Sequence, residues 1–227
     1  MNKLKVVMGQ RLLRANDEAA RENRERFAKS GVFVVNLISS PGTGKTTLLE
    51  QTIRRMRDAC KIGVIEGDIY TTRDARRIAD QGVEVVQINT AGVCHLDAPM
   101  IARSLEELEG DGYDLLFIEN VGNLVCPAEF DLGEDAKVAL LSVTEGGDKP
   151  EKYPLVFQEA QAVVVTKSDL LPYTDFDLES VGQELSAISP GIKIMVVSAK
   201  TGEGIKEWCR WLEERALQKR AGKFATG

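Results

Sequence analysis

Val32-Phe33-Val34-Val35-Asn36-Leu37-Ile38 runs directly into Ser39-Ser40-Pro41-Gly42-Thr43-Gly44-Lys45-Thr46, and this junction decides the fold. An apolar run that ends in a glycine-containing turn and continues into a helical stretch (48–57) is the sequence form of a phosphate-binding loop between a buried strand and a helix. Glycines let consecutive backbone N–H groups face the phosphates, and the helix that follows adds its positive end. Lys45 then neutralises the terminal phosphates and Thr46 offers a hydroxyl to Mg2+. Ser40, Gly42, Thr43, Gly44, Lys45, Thr46 and Thr47 are the expected phosphate-binding set. Ser39 stands where the strict pattern has glycine, so the assignment rests on the remaining positions and on the strand–loop–helix context.

Outward from this loop, short runs rich in Val, Ile and Leu recur at 32–38, 61–65, 83–88, 114–118, 138–143, 162–166 and 192–197. Helical stretches separate them, so about seven strands joined by crossovers predict an α/β fold. Its architecture is three-layer α/β/α, a mainly parallel sheet with helices on both faces. Ligands of such sheets lie outside the carboxyl ends of the strands. Residues 10–29 mix charge with sparse Leu12, Leu13 and Phe27 and read as a charged outer helix. The expected organisation is an N-terminal helical extension over 1–30, a nucleoside-triphosphatase domain over 31–220 and a flexible tail over 221–227, with fraying from Gln218.

The chain has 227 residues, 43% of them apolar, and a net charge of −6. That length supports one core, and the acidic balance gives no footprint for nucleic acid or an anionic membrane. No apolar run is long enough to span a bilayer and no cleavable leader is evident, so a cytoplasmic location is expected. The cysteines are Cys60, Cys94, Cys126 and Cys209. They are too few and scattered for a secreted disulfide framework, which leaves thiols or ligands. Cys60 and Cys209 lack company and read as packing residues.

Downstream, Val163-Val164-Val165-Thr166-Lys167-Ser168-Asp169 ends a strand with a Lys-x-Asp, and Ser198-Ala199-Lys200 follows the last strand. Asp169 can accept the ring N–H and exocyclic amine of guanine, Lys167 can cover the base, and the backbone at Ala199 can donate to the guanine oxygen. Adenine has no ring N–H there, so GTP is expected over ATP. Thr166 stands where asparagine is usual, which predicts a weakened tether to the phosphate loop. Between the two ends, Glu66-Gly67-Asp68 closes the second strand and Glu119-Asn120-Val121-Gly122 closes the fourth. Thr46, Asp68 and Glu119 form the economical magnesium set, and Gly122 can offer its N–H to the terminal phosphate. Lys45, Asp68, Glu119 and Gly122 are thus the expected catalytic group. Asn123 follows in place of a water-positioning glutamine, so hydrolysis without a partner should be slow.

One histidine occurs, in Thr90-Ala91-Gly92-Val93-Cys94-His95-Leu96-Asp97, and a second cysteine lies in Asn123-Leu124-Val125-Cys126-Pro127. Consecutive strands commonly neighbour one another, which would bring Cys94, His95 and Cys126 to one end of the sheet. Thiolates and imidazole suit nickel, zinc or copper. Spacing alone fits buried free cysteines beside a surface histidine equally well. Position favours metal, because Cys126 follows closely on Gly122 of the nucleotide switch, and a twofold partner would complete a site with few ligands per chain.

Taken together, the phosphate loop, Glu66-Gly67-Asp68, Cys94-His95-Leu96-Asp97, the segment from Glu119 to Pro127 and Asp148-Lys149-Pro150-Glu151-Lys152-Tyr153-Pro154 closely resemble the hydrogenase nickel-incorporation GTPases, the HypB family of SIMIBI-class phosphate-loop GTPases, in family order. Ser39 is usual in that family. The resemblance implies a homodimer that forms with GTP and holds Ni2+ or Zn2+ at its interface through Cys94, His95 and Cys126. It also implies delivery of nickel to the hydrogenase large subunit with a HypA-type zinc-binding accessory protein as partner. Lys149 and Lys152 become candidates for nucleotide contacts across the dimer. The N-terminal Cys-x-x-Cys-Gly-Cys site and histidine-rich stretch of some members do not occur in 1–10. A urease or cobalamin-mutase maturation GTPase, an ATP-dependent partitioning protein and a metal-binding adaptor are the competing readings. The Cys-His pair with Asn-Leu-Val-Cys-Pro opposes the first, and Ser40 and Asp169 oppose the second.

Overall fold

The structure is a computed structural model that describes residues 10–110 and 112–222. In chain order the elements are α1 (Gln10–Ser30), β1 (Phe33–Ile38), α2 (Lys45–Met56), β2 (Ile62–Asp68), α3 (Arg73–Ala79), β3 (Glu84–Asn89), α4 (Ala98–Glu107) and β4 (Leu115–Glu119). They continue with α5 (Cys126–Glu129), β5 (Ala136–Ser142), α6 (Lys149–Lys152), α7 (Pro154–Glu159), β6 (Ala162–Thr166), α8 (Leu178–Ile188), β7 (Lys193–Val196) and α9 (Ile205–Arg220). The strands form one seven-stranded sheet in the order β3-β2-β4-β1-β5-β6-β7. Every pairing is parallel.

Strands buried on both faces read as near-continuous Val/Ile/Leu runs because helices cover each side. On one face Val35, Leu37, Val64 and Phe117 pack with Leu49 and Ile53 of α2, Ile78 of α3 and Trp208 and Leu212 of α9. Cys209 is buried in this cluster, with Cys60 packed against it. Burial pushes the Cys209 thiol up to about 11, so these two cysteines are packing residues, as expected. On the opposite face α7 and α8 cover β5 and β6, while Phe27 of α1 and Ile101 and Leu105 of α4 cover β2 and β4. Gly204, which precedes α9, sits at φ +69° with the Val196 carbonyl oxygen 2.0 Å from where a Cβ would stand. Only glycine allows β7 and α9 to join so closely.

Two expectations need adjusting. The fraying expected from Gln218 does not begin there: α9 remains helical through Arg220, because Ala216 and Lys219 are still buried on its inner side. Of the expected tail, 223–227 lies outside the described residues, as does 1–9 of the expected extension. Helix α1 is charged on its outer side, yet it also carries a buried stripe of Asn16, Ala20, Asn23 and Phe27. Two members of that stripe are polar, which hides it from a hydrophobicity pattern.

β1 stands at the centre with β4 and β5 on its two sides. Loops leaving these strands diverge there and open a crevice at their carboxyl ends. The phosphate loop and both acidic strand ends border that crevice.

Candidate nucleotide and metal site

The loop after β1 ends at Gly44, which holds φ +105° and caps α2 without any side-chain hydrogen bond. The first N–H groups of α2 are therefore free to receive an anion. Lys45 is buried, and its Nζ donates to Ser39 Oγ at 3.0 Å. Ser39 in turn donates to the Ser40 carbonyl at 2.7 Å. The serine in place of glycine thus supplies a resting acceptor for the lysine. Burial lowers the Lys45 pKa, while the charges of Glu119, Asp74, Glu145 and Glu66 act to raise it.

This loop lines a cavity of about 500 Å³ with Thr46, Thr47, Glu66, Asp68, Asp74, Arg77, Glu119 and Gly122 among its walls. Thr46 Oγ1 donates to Glu119 Oε1 at 2.7 Å, and the second oxygens of Glu119 and Glu66 are buried without a hydrogen-bond partner. A hydroxyl beside unpartnered carboxylate oxygens is the donor chemistry Mg2+ takes. Thr46 and Glu119 are therefore placed together as expected. Asp68 also lines the cavity, but its Oδ1 accepts from the Tyr70 N–H at 2.7 Å and from the Thr71 N–H. Glu66, which lies outside the expected magnesium set, is brought beside Glu119 by register: β2 and β4 are neighbours with Glu66 opposite Glu119. Gly122 has Pro41 Cα and Cγ 3.0 Å from where its Cβ would stand. A larger residue here would push the two loops apart, since the nearest atoms include the Pro41 backbone.

Burial, the Glu119 charge and the Asp68 charge push Glu66 up to about 8. Burial pushes Glu119 up to about 7 against the pull of Lys45 and the Thr46 hydrogen bond. A carboxyl raised on folding binds more protons folded than unfolded, so its contribution to stability is full below its ordinary pKa and lost as pH rises through the folded value. In protein stripped of nucleotide and divalent cations, the melting temperature is expected to fall between pH 5 and pH 8.5. Glu66→Gln should flatten that fall by about 1–2 kcal/mol, a few degrees in a chain this size. Parallel thermal-melt curves for the two proteins across that range would contradict this electrostatic picture.

A second cavity of about 250 Å³ is lined by Thr43, Gly44, Thr47, Thr166, Lys167, Asp169, Ala199 and Lys200. It shares Gly44 and Thr47 with the first, so phosphates in one and a base in the other would be continuous. Ser198 Oγ donates to Asp169 Oδ1 at 2.6 Å and fixes the carboxylate. Lys167 takes a left-handed backbone, φ 59°, and its Nζ donates to the Gly42 carbonyl at 2.8 Å. Thr166 Oγ1 donates to the Thr43 carbonyl at 2.7 Å. The tether expected to be weak without asparagine is thus made by the threonine hydroxyl. Thr43 Oγ1 also donates to Glu145, a contact that no local pattern announces.

Cys94, His95 and Cys126 converge, with one ligand atom from each lying within 4.8 Å of the others. Cys94 Sγ is 3.0 Å from Cys126 Sγ and 3.9 Å from His95 Nδ1. The convergence does not come from strand adjacency, because β2 separates β3 from β4. The loop after β3 instead crosses the end of β2, where Leu96 occupies the space that a Cβ on Gly67 would need. Asp97 then caps α4 by accepting from the Met100 N–H at 2.8 Å. The His95 ring stacks on Phe130, with centroids 3.9 Å apart. Burial lowers the His95 pKa against the charges of Asp97 and Glu129, which favours the neutral imidazole a metal needs. The hydrogen bond with Cys94, then burial, raises the Cys126 pKa, so metal capture there would displace a proton.

Two asparagines join the loop that carries Cys94 and His95 to the segment that carries Glu119 and Gly122. Asn120 Oδ1 accepts from the Leu96 N–H at 3.2 Å, and Asn123 Nδ2 donates to the Cys94 carbonyl at 3.3 Å. Lys149 and Lys152 lie on α6. Lys152 pairs with Asp148, and Lys149 Nζ stands 5.4 Å from the Tyr153 ring centroid. No helix among the described residues is long and apolar enough to cross a membrane.

Residues 33–196 match the model of the CobW/HypB/UreG nucleotide-binding domain. The hydrogenase maturation factor HypB of Azotobacter chroococcum mcd 1 is 53% identical over 210 residues, which are 92% of this chain and 69% of that protein. Among solved structures, HypB from Helicobacter pylori in complex with nickel is similar with a TM-score of 0.86 at 39% identity, over 94% of this chain and 99% of that one. HypB from Archaeoglobus fulgidus is similar with a TM-score of 0.84 at 40% identity, over 90% of this chain and 100% of that one. A seven-stranded parallel sheet, a phosphate loop set against two buried acids, and relatives that match nearly the whole chain lead to one assignment: the chain belongs to the CobW/HypB/UreG nucleotide-binding family, among the HypB hydrogenase maturation factors.

Proposed function

We propose that this chain is a cytoplasmic GTPase that dimerises with GTP and delivers nickel during maturation of nickel–iron hydrogenase. In this reading GTP and water give GDP and phosphate. Lys45 and the N–H groups at the start of α2 hold the phosphates, Asp169 reads guanine with Lys167 and Ala199, and Gly122 donates to the terminal phosphate. Thr46, Asp68 and Glu119 would hold Mg2+, which neutralises developing charge on the phosphate oxygens. Among the described residues that line the cavity there is no glutamine to position water, and Asn123 follows Gly122 in its place, so intrinsic turnover would be slow. Cys94, His95 and Cys126 carry nickel, with zinc accepted by the same ligands. A HypA-type accessory protein and the hydrogenase large subunit are the proposed partners.

The observation that carries this reading is the contact of the switch segment with the metal loop through Asn120 and Asn123. A shift of Glu119 or Gly122 between nucleotide states would move the backbone of Leu96 and Cys94 with it. Val93 and Val125, which flank the cysteines, are exposed apolar residues and suit a twofold interface that brings two such loops together. Lys149 and Lys152 would reach nucleotide in the partner protomer.

The test is a nickel titration of protein loaded with GDP or with a non-hydrolysable GTP analogue, with molecular mass followed at each point. Nickel affinity and mass are both expected to depend on the nucleotide, and Cys94→Ala with Cys126→Ala should abolish the thiolate-to-nickel absorption while guanine nucleotide still binds. Equal nickel binding by the double variant would remove the proposed ligands. Equal affinity and mass in both nucleotide states would leave a GTPase without coupled delivery.

A further inference from the structure

Helix α1 lies outside the nucleotide crevice, yet its buried side chains converge on the two segments that carry the metal candidates. Asn16 Oδ1 accepts from the Ala98 N–H at 2.9 Å, and Asn16 Nδ2 donates to the Asp131 carbonyl at 2.8 Å. Asn23 Nδ2 donates both to the Ala98 carbonyl at 2.9 Å and to the Leu132 carbonyl at 3.0 Å. Each asparagine therefore bridges the same residue at the start of α4, one through its N–H and the other through its carbonyl, to the chain that follows α5. Ala98 follows Cys94-His95-Leu96-Asp97, and Asp131 follows Cys126 and Phe130. We infer that α1 is a working part of the metal site: Asn16 and Asn23 are positioning residues that set the spacing of the loops carrying Cys94, His95 and Cys126. The inference rests on the reading of those three residues as nickel ligands.

Helix packing alone would not call for these residues. Asn16 is 3% exposed and Asn23 2%, and a buried amide is costly unless it is hydrogen-bonded, whereas an apolar side chain would seal the same surface without that demand. What asparagine adds is direction. Its donor and acceptor tie two backbones at defined positions, and Asn16 also satisfies an N–H at the first turn of α4 that the helix itself leaves unpaired. Phe130 extends the effect to the imidazole, because the His95 ring stacks on it and the carbonyl held by Asn16 belongs to the next residue. From the other side, Leu132 donates its N–H to Glu134 at 2.6 Å, and Glu134 accepts from Asn36 Nδ2 at 3.0 Å. The segment after α5 is thereby held between α1 and the centre of the sheet. Arg24 also meets Asp131, but at a partly exposed position, so it serves as an internal comparison on the same helix.

The experiment titrates nickel into the full chain loaded with GDP, reading thiolate-to-nickel charge-transfer absorption, with GDP affinity measured in parallel. Asn16→Ala and Asn23→Ala are expected to weaken nickel about tenfold or more and to change the absorption band, as loss of supporting interactions does at other metal sites. GDP affinity should stay within about twofold, and Arg24→Gln should match the wild type, as expected where an exposed ion pair counts for little. Should Asn23→Ala fail to fold, Asn16→Asp decides the matter. It keeps an acceptor for the Ala98 N–H but cannot donate to Asp131, so it should lose nickel affinity as Asn16→Ala does. Wild-type affinity and band in the asparagine variants, or a parallel loss of nickel and GDP, would overturn the positioning role. Nickel binding that survives Cys94→Ala with Cys126→Ala would overturn the ligand assignment and the role of α1 with it. Cysteine-dependent binding with indifferent asparagine variants would overturn the role of α1 alone.

Discussion

Asp169→Asn is expected to turn a guanine pocket into a xanthine pocket, with a change in the GTP-to-XTP preference of about 10⁴-fold. The size of the effect follows from which atoms face the base. Ser198 donates to one oxygen of Asp169 at 2.6 Å, which fixes the carboxylate and leaves its remaining acceptor capacity for the ring N–H and the exocyclic amine. In the variant the same hydroxyl selects the amide oxygen as its acceptor, so the amide nitrogen turns towards the base. Guanine then presents an amine to a donor, and both groups lose a partner in the cavity lined by Thr43, Thr166 and Lys167. Xanthine presents a carbonyl at that position and pairs with the amide. Because the substitution keeps size and shape, the fold and the phosphate loop should be untouched. Competition binding with fluorescent GDP against GTP, XTP and ATP checks this. Unchanged base preference would place the base elsewhere and remove Lys167, Ala199 and Lys200 from the pocket with it.

What could be read in advance depended on how locally each feature is encoded. Strand β6 falls on 162–166 as expected because Ala162-Val163-Val164-Val165 is an unbroken apolar run and the strand is covered on both faces. β2 runs through Asp68, as expected of Glu66-Gly67-Asp68 closing the second strand: the apolar run stops at 65, but the backbone keeps pairing with Gln87 and Ile88 of β3. Glu66 lies outside the expected magnesium set because only the register of β2 on β4 sets it against Glu119 as a second buried acid. The convergence of Cys94, His95 and Cys126 was legible in the sequence, but adjacency of consecutive strands is not how the chain achieves it. Gly67 admits Leu96 across the intervening strand instead, a close approach that no periodicity announces. Asn16 and Asn23 were invisible for a related reason. A polar residue on a helix scores as solvent-facing until its partners, far along the chain at Ala98, Asp131 and Leu132, are known. The sequence encodes burial of apolar surface in short range, whereas hydrogen bonds that satisfy buried amides are a property of the assembled fold.

Lys45→Ala is expected to lower the rate of GTP hydrolysis by about 10³-fold or more, with a loss of GTP affinity alongside. Lys45 is the buried cation in a cavity whose walls include Glu66, Asp68, Asp74 and Glu119. Its charge acts on both sides of the reaction. Towards substrate it neutralises the terminal phosphates from a buried position, where its charge is less screened than at the surface. Towards the protein it holds Glu119 and Glu66 below the values that burial alone would give them. Removing it should therefore raise both carboxyls further and weaken magnesium together with nucleotide. Ser39 loses the donor that approaches it at 3.0 Å, but a hydroxyl still able to bond to the Ser40 carbonyl is not left unsatisfied, so the loop should keep its shape. Phosphate release under single-turnover conditions measures the chemistry, and a thermal melt shows that the fold persists. Nickel uptake in the absence of nucleotide should be that of the wild type, because no contact links Lys45 to Cys94, His95 or Cys126 directly. Hydrolysis within tenfold of wild type would mean that the phosphate pocket is not where GTP is cleaved, and would favour a metal-binding adaptor with a structural nucleotide over an enzyme.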